Sequence, residues 1–144
     1  MFNNILIVCI GNICRSPMAQ GLFVDAFKDN PSYTIRSAGL SALVGQTPDK
    51  LACELMLNKG IDISSYIACQ LNTEMIIAAD IILVMDLIQQ DIITSKEMSA
   101  KGKIFRVGEW SGFDIPDPYK KDLAHFENSL QLIELGLGQW IKKF

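Results

Sequence analysis

The chain is 144 residues long, 49% apolar and 20% charged, with a formal net charge of −3. These figures exclude a disordered chain and a disulfide-built miniprotein, and they leave enough sequence to bury roughly two-thirds of the unfolded surface in a single domain, 1–144. No block of like charges occurs, which excludes a nucleic-acid binder resting on a basic face.

The most apolar stretch, Met75 to Ile88, is interrupted by Asp80 and Asp86 and falls short of the roughly 18 residues a membrane span needs. The first residues carry no positive charge, and the apolar run after them covers only Ile5 to Ile10. No secretory signal is expected, and the chain is read as cytoplasmic. There Cys9, Cys14, Cys53 and Cys69 are expected to be reduced thiols. They form no Cys-x-x-Cys pair and the single histidine, His125, is remote in sequence, so neither a metal nor a cofactor is expected.

Ile5 to Cys9 is a short continuous apolar run, the pattern of a strand buried on both faces. Ser16-Pro17 opens a helix with proline at its first position, and Met18, Ala19, Leu22, Phe23 and Ala26 supply the apolar stripe. Thr34 to Ser37 reads as a second strand, polar enough for a sheet edge. Thr47 caps a second helix that carries Leu51, Ala52, Leu55 and Met56 on one face and stops at Gly60. A short helix over 73–79 precedes a third strand over 80–85. Asp86 and Gln89 have the spacing of a capping box for the next helix. Lys103 to Val107 is a fourth strand, and Gly108 to Tyr119 is an aperiodic loop. Leu123, Phe126, Leu130, Ile133, Leu137, Trp140 and Phe144, three and four apart, mark the last helix.

Strands alternating with helices predict an α/β fold: βαβ units with right-handed crossovers, an open parallel four-stranded sheet and helices on both faces. Ligands in such folds bind outside the carboxyl ends of strands, where strand order reverses. The segment after the first buried strand is therefore the expected site. It reads Cys9-Ile-Gly-Asn-Ile-Cys-Arg15-Ser16-Pro17, a cysteine and an arginine bracketing a short loop that closes onto a helix start. Such a loop can turn several backbone N–H groups inward as an anion cradle. Gly11 and Asn12 tolerate the left-handed backbone it needs. Arg15 offers a planar fork for two phosphate oxygens. The same positive groups favour a thiolate nucleophile at Cys9, to which Ser16 is close enough to donate its hydroxyl.

Cys9 to Pro17 resembles the phosphate-binding loop of the low-molecular-weight protein tyrosine phosphatases. The resemblance extends through Ser37-Ala-Gly-Leu40, Asp80 to Met85 and Asp117-Pro-Tyr119, essentially the whole chain. Ser-Ala-Gly-Leu-Ser-Ala-Leu and Ile-Pro-Asp-Pro-Tyr are most similar to the bacterial branch, which is associated with capsule or exopolysaccharide production and opposes a tyrosine autokinase. The resemblance implies phosphotyrosine hydrolysis through a cysteinyl-phosphate. It also implies a substrate cradle of Ile10, Gly11, Asn12, Ile13, Cys14 and Ser16, walls from Leu40 and Tyr119, and a Cys9–Cys14 disulfide on oxidation. Relatives self-associate through aromatics near the site, which implies a monomer or weak dimer. Many relatives carry glutamate where this chain has Gln20; the change leaves more positive character near Cys9, to which Asp62 and Asp80 are the acids that could add their field.

Expelling a phenolate requires a positioned acid, and the same group can then activate water against the cysteinyl-phosphate. Asp114 and Asp117 are the candidates, and the residues alone do not rank them, although Pro116 and Pro118 would hold Asp117 rigid. The family pattern implies Asp117. The alternative on this fold is arsenate reduction. Its thioredoxin-linked form uses two further cysteines near residues 80 to 90, whereas this chain has none after Cys69.

Overall fold

The computed structural model describes residues 2–144. Among them the chain forms four strands and five α-helices in the order β1 (Asn4–Cys9), α1 (Arg15–Ala26), β2 (Thr34–Gly39), α2 (Lys50–Leu57), α3 (Thr73–Ala78), β3 (Ile81–Val84), α4 (Leu87–Lys96), β4 (Ile104–Arg106) and α5 (Leu123–Ile141). Two short 3₁₀ turns, Met98–Ala100 and Glu109–Ser111, carry no apolar periodicity and were not expected. All strands pair in parallel, in the order β2-β1-β3-β4. The polar second strand is at an edge, as its composition predicts.

Burial on both faces is explicit in the alternation along the central strands. Ile5, Ile7 and Cys9 of β1, with Ile81 and Leu83 of β3, join one apolar cluster that includes Phe23 of α1, Met56 of α2 and Ile133 of α5. Leu6 and Val8, with Ile82 and Val84, join the opposite cluster with Ile76 of α3 and Ile93 of α4. Period-two side chains pointing to two helical layers make the continuous apolar runs necessary. Strand order reverses beside β1, so a crevice opens at its carboxyl end, where Cys9 stands.

Three helix starts differ from expectation. Helix α1 begins at Arg15, so Pro17 is its third residue rather than its first. Asp49, not Thr47, caps α2, its carboxylate accepting the Leu51 N–H at 2.9 Å. The reason is tertiary: the Asp49 N–H is bound to the Ile13 carbonyl at 2.7 Å, which holds the entry to α2 extended until it has crossed the loop after β1. At α4, Asp86 accepts the Gln89 N–H at 2.8 Å, but the Gln89 side chain reaches back to the Met85 N–H at 2.9 Å, one residue beyond a capping box.

Candidate active site

The loop from Cys9 to Arg15 is shaped by where its carbonyls go. Those of Cys9, Ile10, Gly11 and Ile13 accept the N–H groups of Leu40, Ser41, Leu43 and Asp49 at 2.7 to 3.0 Å. With these carbonyls tied outward, the amides turn the other way. None of the N–H groups from Ile10 to Cys14 bonds a protein acceptor among the described residues. Unpaired donors converging at the start of α1 make an anion cradle, strengthened by the positive end of the helix dipole. Gly39 permits this construction. A Cβ there would be 2.4 Å from the Ile10 carbonyl oxygen, which explains the glycine of the Ser-Ala-Gly-Leu segment.

The loop opens on a cavity of about 110 Å³ lined by Cys9, Ile13, Arg15, Leu43, Asp117 and Tyr119 among others. Arg15 is buried, and its guanidinium donates to the Ile115 carbonyl at 2.8 Å. It stands 3.5 Å from the Asp117 carboxylate and 3.8 Å from that of Asp86. The one carbonyl bond and the two carboxylates at ion-pair distance compensate the buried charge and fix its direction, while, among the described residues, most of its N–H groups stay free to take an anion. Asp117 is half-exposed, with its other oxygen accepting the Tyr119 N–H at 3.1 Å.

Behind the loop, a chain of hydrogen bonds leads to the thiol. Cys9 Sγ is 3.0 Å from Ser16 Oγ. Asn12 Nδ2 donates to Ser16 Oγ at 2.7 Å and to Ser37 Oγ at 2.9 Å, and Ser37 donates onward to Gln20 Oε1 at 2.6 Å. Asn12 Oδ1 accepts the backbone N–H of Cys69 at 3.0 Å. A backbone N–H can only donate, so the Asn12 amide cannot be flipped. Both its hydrogens are then committed, Ser16 Oγ is an acceptor from Asn12, and the Ser16 hydrogen is left to point at Cys9 Sγ. Asn12 sustains this at φ +60°, in the left-handed region that asparagine tolerates.

Nearly all of the described chain matches one family. Residues 4–144 match the family model described as low molecular weight phosphotyrosine protein phosphatase. A low molecular weight protein-tyrosine-phosphatase, Ptp, of Acinetobacter johnsonii is 48% identical over 141 residues, covering 98% of this chain and 97% of its own. The chain belongs to the low molecular weight protein-tyrosine phosphatases. Among solved structures, the tyrosine phosphatase AmsI of Erwinia amylovora superposes with a TM-score of 0.94 at 36% identity, covering 100% of this chain and 94% of that one. The YwlE arginine phosphatase of Geobacillus stearothermophilus superposes with a TM-score of 0.89 at 30% identity, covering 97% and 91%.

In this phosphatase, the residues singled out from sequence separate into distinct places. Cys9, Ile10, Gly11, Ile13, Cys14, Arg15, Asp117 and Tyr119 line one cavity. Ser16 and Asn12 stand behind it, the Asn12 side chain wholly engaged by the protein. Leu40 is not a wall of that cavity. It packs with the cluster on the opposite sheet face, and Leu43 with Ser41 takes the place expected for it. Asp114 pairs with Arg106 at 3.0 Å and is turned from the site.

Asp62 and Asp80 lie elsewhere. Asp62 is bound to Ser64, and Asp80 accepts the N–H groups of Asn3 and Asn4 at the far end of the sheet. The acid that sequence reasoning missed is Asp86, legible only as a helix cap. It does both tasks, one oxygen capping α4 and the other facing Arg15. Burial, with Asp49 and Cys9 adding to it, pushes the Cys14 thiol well up, so Cys14 is held protonated. Cys53 and Cys69 are half-buried, with the Cys69 thiol donating to the Ser37 carbonyl at 3.3 Å. No group of three or more His, Cys, Asp and Glu suited to a metal occurs among the described residues.

Proposed function

We propose that residues 1–144 act as one catalytic domain that hydrolyses phosphotyrosine in proteins. The observation that carries the proposal is the Asp117 carboxylate 3.5 Å from Arg15, over a loop whose free amides run from Ile10 to Cys14, directly after Cys9. Cys9 Sγ attacks phosphorus as the bond to the phenolic oxygen breaks. Arg15 and the loop amides hold the equatorial oxygens, where charge develops. Asp117 gives its proton to the departing oxygen, and then, as a carboxylate, takes one from the water that cleaves the sulfur–phosphorus bond. The Ser16 hydroxyl stabilises the sulfur, both as the attacking thiolate and as the leaving group of the second step.

Substrate class follows from the walls. Ile10, Ile13, Leu43 and Tyr119 offer apolar and aromatic contact, which suits a phenyl ring. A phosphoarginine would present a cationic guanidine, for which Asp117 is the one carboxylate in the lining. Arsenate reduction is disfavoured because Cys53 and Cys69 do not line the cavity. No helix among the described residues is long and apolar enough to cross a membrane. We place the enzyme in the cytoplasm, as a monomer or weak dimer, opposing a tyrosine autokinase in polysaccharide production, the role associated with the bacterial branch its motifs resemble.

The test is hydrolysis of para-nitrophenyl phosphate and of phosphotyrosine, phosphoserine and phosphoarginine peptides, in reductant and EDTA. Turnover that prefers phosphotyrosine and disappears in Cys9→Ser is the expected result. Turnover retained by Cys9→Ser overturns the nucleophile, and a preference for phosphoarginine overturns the substrate class.

A further inference from the structure

Helix α5 buries an apolar face of Phe126, Leu130, Ile133, Leu137 and Trp140, and one serine, Ser129, interrupts it at 1% exposure. A serine inside a helix ordinarily turns its hydroxyl to its own preceding turn. Ser129 instead donates across to the carbonyl of Pro116 at 2.8 Å. That carbonyl belongs to the peptide unit leading directly into Asp117. A hydroxyl buried among apolar side chains is tolerated only when hydrogen-bonded, so the position trades apolar packing for a fixed Pro116 carbonyl.

The segment has few other means of holding itself. Pro116 and Pro118 flank Asp117 and have no N–H to donate. Their rings set φ at their own positions but leave the plane of the peptide between Pro116 and Asp117 free to rotate. One residue earlier, Ile115 is pinned twice, its N–H to the Met85 carbonyl at 2.8 Å and its carbonyl by Arg15 at 2.8 Å. Beyond Ile115, the bond from Ser129 fixes the last peptide plane before the acid. Asp117 is half-exposed, and besides Arg15 its partner is the Tyr119 N–H. Direction for this carboxyl comes chiefly from the backbone that carries it.

We infer that Ser129 is a positioning residue, which aims the Asp117 carboxyl at the leaving oxygen through the Pro116 carbonyl. This rests on Asp117 being the general acid. As the sulfur–phosphorus bond forms and the phosphorus–oxygen bond breaks, the proton passes from Asp117 to the phenolic oxygen. A carboxyl displaced by a fraction of an ångström transfers it less well. The loss is largest for basic leaving groups and small for nitrophenolate, which departs without help.

The experiment measures kcat/KM for para-nitrophenyl phosphate and phenyl phosphate with wild type, Ser129→Ala, Asp117→Asn and the double variant. Ser129→Cys repeats the comparison if the alanine variant folds poorly. Ser129→Ala is expected to lose about tenfold with phenyl phosphate and less than about threefold with para-nitrophenyl phosphate, the scale of one hydrogen bond. In the Asp117→Asn background it should lose nothing further. Equal losses on both substrates, or a full additional loss in the double variant, overturn the positioning role and leave the acid assignment standing. Absence of leaving-group dependence in Asp117→Asn itself overturns the acid assignment, and this inference with it.

Discussion

Asn12 and Cys69 meet through one bond, the Cys69 N–H on Asn12 Oδ1 at 3.0 Å, and that bond sets the direction of the hydrogens leading to Cys9. Its donor is a backbone amide from a strand-like segment beside β2, paired to Gly39 through the adjacent Gln70. The hydroxyl beside Cys9 is thus oriented by the main chain, and side chains only relay the direction.

Replacing Asn12 by glycine or by alanine separates the two jobs of this residue. Both variants lose the amide and leave Ser16 unsteered, so both should lose about tenfold or more in kcat on phenyl phosphate. Alanine must also sit at φ +60°, whereas glycine does so freely. Asn12→Ala should therefore unfold in urea at a stability about 1 kcal/mol lower than Asn12→Gly. Equal stabilities would count against the left-handed backbone at this position.

Asp117 and Asp114 lie in the same loop but face different arginines. Asp117→Asn should slow turnover of phenyl phosphate by about a hundredfold or more. Asp114→Asn breaks an ion pair with Arg106 whose carboxylate is half-exposed, a contact worth about 1 kcal/mol or less. Its turnover should remain within about threefold of wild type, since it removes no group from the cavity. Steady-state kinetics of the two variants decide the assignment, and a larger loss at Asp114 would reverse it.

Gly39→Ala tests the backing of the cradle. The added methyl would lie 2.4 Å from the Ile10 carbonyl oxygen, and backbone has to move to admit it. Overpacking of this kind costs about 1–3 kcal/mol, and here the displaced peptide belongs to the loop proposed to bind the anion. Competitive inhibition by inorganic phosphate should weaken by about tenfold. Unchanged inhibition would mean that the loop keeps its shape without that contact.

Cys14 predicts a pH dependence of stability. Its thiol is pushed up in the folded state, mainly by burial, while in the unfolded chain it ionises near about 8.5. Below that value both states hold the proton and the folded state is fully stable. Above it the unfolded state releases the proton and the folded state retains it, so stability falls by up to about 1.4 kcal/mol per pH unit. Urea midpoints measured from pH 7 to pH 10 should decline for wild type and decline less for Cys14→Ala. Parallel declines would remove Cys14 as the cause.

Much of the site was legible because it is local. Cys9, the loop and Arg15 lie between the end of one strand and the start of the next helix, so the periodicity of β1 and α1 locates them. The separation of Asp117 from Asp114 was not local. Residue types and prolines left both open, and the difference lies in which arginine each faces, Arg15 or Arg106. Leu40 was misplaced for a related reason, because its side chain falls on the far face of the sheet, a matter of pleat and register that the motif does not state. The cap at Asp49 was missed because a loop carbonyl, Ile13, holds its N–H.

By itself, the sequence determined the alternation of strands and helices, the edge position of β2, burial of β1 and β3 on both faces, and the Cys9-to-Arg15 loop. Each of these follows from hydrophobic period or from residues adjacent in the chain. Only the tertiary structure decided that Asp86 faces Arg15, that Cys69 orients Asn12, and that Ser129 holds Pro116. These are hydrogen bonds and ion pairs between segments far apart in sequence, and their directions depend on backbone planes and side-chain angles that no one-dimensional pattern encodes.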